Sequence, residues 1–469
     1  MSNQASLGDI SSSEESEERS EKTQNLKLEL GPFTLQVPQE WEISEFSEDM
    51  NLVNGVNYES KHYCDEGEGR IFLTLNSVKK GGGFKKEGIK HYGGPVDEEK
   101  ILSPGDLLIA NTDLTQDGDV VGYPFQVPEF PEDDREIVPS MDLSIMELQS
   151  EKYNKSFLQY LFRTNYIHSR LRSFSAGSTV LHLNTDLTEK MDLPVPPKPE
   201  QHRIASVLYN VDQAIQKTEE IINQTQRIKK GLALELFREG FNEYEVYSHP
   251  LIDEVPEDWD IKSFGDLIEE TRNGLYKSED DGRDKPIIKM GDMFEDIEFN
   301  RMPEDEIPVT DKEISKYGLE KGDLLFARRS LNVEGAGKCT LVGDLEEETV
   351  FESSMIRAKM KEDISSEYIA QYFNSPVGER NMSRIVTTNT ASGIRGSDLK
   401  KLKIPIPGKK EQQKISELLG KKDREIETLK QEKNQLQRLK KGLMQDLLTG
   451  EVRTSESVEV LDEVREVES

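Results

Sequence analysis

The chain says nearly the same thing twice, in the same order. Residues 200–236, EQHRIASVLYNVDQAIQKTEEIINQTQRIKKGLALEL, align without a gap on residues 411–447, EQQKISELLGKKDREIETLKQEKNQLQRLKKGLMQDL, every pair lying 211 positions apart. Shorter echoes accompany them: VPQEW at Val37–Trp41 recurs as VPEDW at Val255–Trp259, and GDLLIANTDL from Gly105 recurs as GDLLFARRSL from Gly322. Solenoid units run roughly 20 to 50 residues, so this period is the size of a whole domain. The repeat predicts a tandem, pseudo-twofold protein. The long segment, alike throughout, has a common structural duty; the stretches between the short motifs differ and handle something different in each copy.

The shared segment reads as a long helix. Ile204, Leu208, Val211, Ile215, Thr218, Ile222 and Thr225 fall at alternating spacings of 4 and 3, a coiled-coil seam. Ile415, Leu419, Ile426, Leu429 and Leu436 occupy equivalent places in the second copy, interrupted by Lys422 and Lys433. Proline-rich entries, LPVPPKP at 193–199 and IPIPGKK at 404–410, stop what precedes and set each start. At about 1.5 Å per residue each segment is a rod of about 55 Å. The two rods are expected to pair as an antiparallel coiled coil.

Net charge is −31, which argues against a nucleic-acid partner if read alone. An acidic surface is also what a salt-loaded cytoplasm selects, because it keeps the chain hydrated, so the charge points to a halophilic source. Acid concentrates in the tails, SSSEESEERSE and ESVEVLDEVREVES, expected to be solvated and disordered. Basic islands survive between them. Residues 77–92 carry Lys79, Lys80, Lys85, Lys86 and Lys90; residues 163–182 carry Arg163, Arg170 and Arg172; residues 380–403 carry Arg380, Arg384, Arg395, Lys400, Lys401 and Lys403. Each mixes cations with Ser, Thr, Asn, Gly or aromatics, the chemistry that holds phosphates and reaches base edges.

Catalytic signatures are absent from the sequence: no phosphate loop, no HExxH, no Cys or His cluster at metal-ligand spacing. Cys64 and Cys339 read as unpaired thiols in a reducing cytoplasm. No apolar stretch approaches the length of a membrane span. The variable regions mix strand-like runs (69–78, 105–111, 285–293, 322–328) with helix-like ones (156–174 and 366–385), an α+β pattern.

Six motifs in order, twice, carry a resemblance. VPxxW (Trp41; Trp259), GDLL (Gly105; Gly322), SAGST with its counterpart TASGI (Gly177; Gly393), Leu/Ile-Pro-x-Pro (Pro194, Pro196; Pro405, Pro407), EQ (Gln201; Gln412) and RxKKGL (Arg227; Arg438) together resemble the specificity subunit of type I restriction-modification systems over roughly residues 32 to 452. The resemblance implies an acidic disordered tail at 1–31, target-recognition domains at 32–198 and 246–409, conserved helical spacers at 199–245 and 410–450, and an acidic tail at 451–469. It implies a non-catalytic subunit of a site-specific deoxyribonuclease and adenine methyltransferase complex. Each recognition domain would read one half of a bipartite double-stranded DNA target while the paired helices fix the gap and dock two methyltransferase subunits, a restriction and translocase subunit completing the complex. S-adenosylmethionine, ATP and magnesium would belong to those partners, leaving no cofactor on this chain. DNA contact is expected at Lys79, Lys80, Lys85, Lys86, Arg170, Arg172, Gly177, Ser178 and Thr179 in the first half. In the second half it is expected at Arg328, Arg329, Arg384, Thr388, Asn389, Ser392, Gly393 and Arg395. Helix pairing and partner docking fall to Ile204, Leu208, Val211, Ile215, Ile222, Ile415, Leu419, Ile426, Leu429 and Leu436. The alternative is a coiled-coil scaffold or adaptor that does not itself bind DNA.

Overall fold

The computed structural model describes residues 25–464 except 132, 243, 277–280, 295–296, 331–334 and 389–391. The chain forms two compact units of an α+β fold. The first combines the chain through Gln216 with the stretch from Gln435 onward, and the second is Lys217–Asn434. Helices of seven residues or more are α1 (Lys155–Leu161), α2 (Asn165–Ser173), α3 (Lys198–Glu239), α4 (Asp311–Tyr317), α5 (Ser366–Phe373), α6 (Pro376–Ser383) and α7 (Lys409–Thr449). Each unit therefore takes half of α3 and half of α7.

In the first unit the GDLL motif supplies the strand Leu107–Ala110, held between Leu143–Leu148 and Pro124–Gln126 in an antiparallel sheet whose fourth strand is Met50–Asn54. In the second, Leu324–Ala327 lies between Met355–Met360 and Cys339–Val342. Every residue of both motif strands is buried, which is why LLIA and LLFA are unbroken apolar runs rather than alternating ones. Smaller sheets complete each unit: Asp192–Val195 pairs with Glu42–Glu45, and Lys403–Ile406 pairs with Asp260–Ser263, so both proline-marked entries to the long helices are strands.

The helix-like stretches 156–174 and 366–385 are each two helices. Phe162 closes α1, and α2 begins after Thr164, whose hydroxyl donates back to the Leu161 carbonyl. In the second unit Ser375 caps Gly378 and Pro376, lacking an N–H, sits at the first turn of α6. Apolar periodicity runs through both breaks, because both helices of each pair face the same core.

The long helices pack antiparallel. Within the second unit Lys229 meets Asp423 and Lys433 meets Glu219, indices rising on α3 as they fall on α7. Within the first, Lys440 meets Asp212. Ile204 and Leu208 are fully buried in one core together with Leu447 and Leu448; Ile415 and Leu419 are buried with Leu236 and Phe237. Ile222 and Ile426 are buried too, whereas Val211, Ile215, Leu429 and Leu436 are half-buried. The seam positions nearest each helix start thus serve the domain core as much as the helix pair.

Parts of both expected tails are described, while the run SSSEESEERSE, residues 11–21, lies outside the described residues. Residues 1–24 and 465–469 lie outside the described residues, but Leu26–Leu30 forms a hairpin with Phe33–Val37 that buries Leu28 and Leu30. The hairpin turns at Gly31, at φ 68. After Gly450 the chain runs back over the first unit: Arg203 donates to the Thr454 hydroxyl at 3.1 Å, the Leu461 N–H donates to Ser206 at 3.1 Å, and Val464 is buried. Acidic composition hid the few apolar side chains, Val458, Val460, Leu461 and Val464, that hold this segment down.

Candidate nucleic-acid interface

The shared motifs meet one another, and that contact fixes where the variable residues stand. Trp41 Nε1 donates to Glu200 at 3.2 Å, and Trp259 Nε1 donates to Glu411 at 3.3 Å. The tryptophan of VPxxW thus locks onto the glutamate of EQ in each unit. The adjoining glutamines are equally used. Gln201 accepts from the Asn154 N–H at 2.8 Å and donates to the carbonyls of Lys152 and Pro196, while Gln412 accepts from the Ser365 N–H and donates to that of Pro407. Asn154 and Ser365 cap α1 and α5, so one glutamine ties the last helix pair of each domain to the start of the long helix. The second acceptor need of each glutamate is met differently: Glu200 takes two donors of Arg453, and Glu411 takes the Phe241 N–H and the Tyr244 hydroxyl.

Each unit has an open cleft that reaches the long-helix lysine of a lysine–aspartate pair, Lys440 in the first and Lys229 in the second. In the first unit Asp212 accepts from Lys440 at 2.5 Å and from the Tyr160 hydroxyl at 3.1 Å, with Arg163 at 3.9 Å. In the second, Asp423 accepts from Lys229 and from Gln371 at 2.6 Å. Tyr160 and Gln371, like the lysines and aspartates, are 211 positions apart, so the repeat extends upstream of the obvious alignment. Burial holds the pKa of both lysines below the ordinary range, and for Lys440 the neighbouring Arg163 adds to this.

The basic islands are disposed unevenly. Lys79, Lys85 and Lys86 are exposed, as are Arg172, Gly177, Ser178 and Thr179. Gly177 has φ 143, and a Cβ there would meet the Val180 carbonyl oxygen at 1.8 Å, so the turn needs glycine. Lys80 is ion-paired with Asp119, Arg170 stacks on Phe174 at 4.4 Å, and Arg172 donates to the Gln116 carbonyl. In the second unit Arg329, Arg384 and Arg395 are exposed, while Arg328 donates to the Ser353 carbonyl. Thr388 lies in the strand Thr387–Thr388; Asn389 lies outside the described residues.

One sequence equivalence is corrected. Ser175–Ala176 and Leu181–Leu183 pair as a hairpin, and its counterpart is Thr387–Thr388 paired with Ser392–Gly393. Ser392 and Gly393 of TASGI therefore match the second strand of the first hairpin rather than the Gly177 turn. Ser392 is buried and Gly393 pairs with Arg329, so both stand in a strand, and residues 389–391 lie outside the described residues. The shared Ser-Gly letters misled because the two hairpins place them in different rows.

Missed by the island reading were Lys229, Lys440, Asp212 and Asp423. Their signal was available, since all four are identical at the 211 offset. Among the described residues no group of three or more His, Cys, Asp or Glu could hold a metal ion, and no helix is long and apolar enough to cross a membrane. Cys64 and Cys339 are unpaired.

Two homologous α+β units, each locking a variable domain onto half of an antiparallel helix pair, define a tandem recognition-domain protein. The model of the type I restriction modification DNA specificity domain matches twice, over residues 38–227 and 256–438, and the chain belongs to that family. It is 24% identical over 429 residues to the type I restriction enzyme MjaVIII specificity subunit of Methanocaldococcus jannaschii, covering 89% of this chain and 94% of that protein. It is likewise 24% identical over 405 residues to the EcoKI specificity subunit of Escherichia coli, covering 81% of each. The S subunit structure of a type I system from M. genitalium shares the fold, with a TM-score of 0.54 at 13% identity over 87% of this chain and 96% of that one.

Proposed function

We propose that this chain is the DNA specificity subunit of a type I restriction-modification complex, each unit binding one half of a bipartite target. The observation that carries this reading is the tandem family match, one copy on each unit. The subunit is not itself an enzyme: methylation and cleavage, with S-adenosylmethionine, ATP and magnesium, belong to the methyltransferase and restriction subunits that assemble on it.

Helices α3 and α7 dock the methyltransferase subunits. Ile228 and Leu439, equivalent in the repeat, are 52% and 51% exposed. Nearby Gly231 and Gly442 sit mid-helix, and a Cβ added at either would find nothing of the chain within 4 Å. Glycine there costs about 1 kcal/mol against alanine, so its presence in both copies supports close approach by another body. Phosphate contact falls to the exposed Lys79, Lys85 and Lys86, and contact at the second half-site to Arg329, Arg384 and Arg395. The acidic surface suits a salt-rich cytoplasm, where counterion release contributes little and base contacts carry more of the binding.

A gel shift with reconstituted methyltransferase subunit tests the reading. A sequence-specific band requiring both proteins is expected; assembly without any sequence-specific band would favour a scaffold instead.

A further inference from the structure

Each of the two clefts is lined by an exposed lysine of a long helix, Lys441 in the first and Lys230 in the second. Cleft one, about 1150 Å3, is lined by Gln437, Lys440 and Lys441; cleft two, about 660 Å3, by Gln226, Lys229 and Lys230. These are the same three residues at the 211 offset, identical in type. Lys440 and Lys229 are accounted for by Asp212 and Asp423. Lys441, Lys230 and both glutamines are exposed, and among the described residues neither Lys441 nor Lys230 has an ion-pair partner.

Charge supports a ligand of one sign. Cleft one is lined by four cations against two carboxylates, and cleft two by six against four. Both are therefore net cationic in a chain whose net charge is −31. Lys79 adds to the field at Lys440, and Lys338, on the lining of cleft two, does the same at Lys229. An excess of cations around each half-buried aspartate is costly unless an external anion relieves it. Lysine is a flexible point charge and glutamine a neutral donor; together they fit phosphodiester oxygens without reading a base.

We infer that Lys441 with Gln437, and Lys230 with Gln226, are DNA-backbone contacts supplied by the long helices, so that each half-site is held by phosphate contacts from a helix as well as by its recognition domain. The inference rests on the DNA-specificity reading above and adds a second function to helices otherwise assigned to spacing and docking.

Salt dependence separates the possibilities. Binding of target and unrelated duplexes would be measured from low to high salt for the full chain assembled with methyltransferase subunits, as parent, Lys441→Gln, Lys230→Gln and the double variant. Both lysines are exposed, so the fold is retained. Each loss of a phosphate contact lowers the slope of log K against log salt by about 0.9. The expected result is about one unit per single variant and about two for the double, with affinity falling equally for both duplexes and the specificity ratio unchanged. Slopes equal to the parent's would overturn the inference, as would a defect confined to methyltransferase assembly, which would make these clefts protein-docking sites. A parent with no preference for any duplex would instead remove the specificity reading on which it rests.

Discussion

The side-chain amide of Asn154 donates to the Val464 carbonyl at 2.9 Å, across 310 positions of the chain. Asn154 also caps α1, so the residue that starts the last helix pair of the first domain is the one that fastens the C-terminal segment. Beside it Arg453 engages buried Glu200 with two donors. In the second unit the comparable glutamate, Glu411, is served by residues 241–244 of the connecting segment instead. The C-terminal segment thus does for the first unit part of what the connecting segment does for the second.

Removal of residues 451–469 should therefore weaken the first unit selectively. It takes buried Val464 out of the core and strips Arg453 from Glu200, a loss of about 2 to 4 kcal/mol. Hydrogen exchange should rise around Asn154 and the start of α3, with little change around Ser365 and the start of α7.

Glu411→Ala should destabilise the second unit by about 2 to 4 kcal/mol, because Trp259 Nε1, the Tyr244 hydroxyl and the Phe241 N–H all lose their acceptor at once. Glu411→Gln keeps one acceptor oxygen and should cost less than half as much in urea denaturation. Equal costs for the two would mean that the carboxylate's hydrogen bonds are incidental.

The Lys229–Asp423 pair lends itself to a double-mutant cycle. Lys229→Met and Asp423→Leu should each cost about 2 kcal/mol by stranding a half-buried partner, and the double variant should cost less than the sum by about 1 kcal/mol or more. Simple additivity would remove the coupling.

Asp323, of the second GDLL motif, is a buried carboxylate whose pKa desolvation pushes up to about 6. The folded state therefore binds its proton more tightly than the unfolded state, and stability falls as pH rises from about 4 to about 6, the full cost of up to about 3 kcal/mol applying above that window. Asp323→Asn should raise the melting temperature at pH 8, and the advantage should shrink as pH falls through 6 towards 4. A gain independent of pH would rule out ionisation as the cause.

How far the sequence carries differs between scaffold and surface. The long helices, the GDLL strands and the tandem organisation are legible because apolar periodicity and internal identity report buried, repeated tasks: Ile204 and Ile415, or Leu107 and Leu324, do the same work twice. The partnerships of Trp41 with Glu200 and Trp259 with Glu411 span 159 and 152 positions, and nothing local announces them. Recognition surfaces are harder still. Lys80 and Lys85 look alike as letters and both are exposed, yet Lys80 is paired with Asp119, a partner brought by a loop folding from elsewhere. The SAGST and TASGI match failed for the same reason, since short Ser-Gly strings fix no row in a hairpin. The C-terminal segment was hidden by its acids, which say where the chain meets water but not where four apolar side chains anchor it.

Exchange of one recognition domain tests the central claim most directly. Residues 246–408 would be replaced by the corresponding domain of another type I specificity subunit, the hybrid expressed with its methyltransferase, and methylated sites mapped across a genome. One half of the bipartite sequence should change to that of the donor while the other half stays as in the parent. If active hybrids methylated the parental sequence unchanged, or altered both halves together, the two units would not be independent readers of DNA.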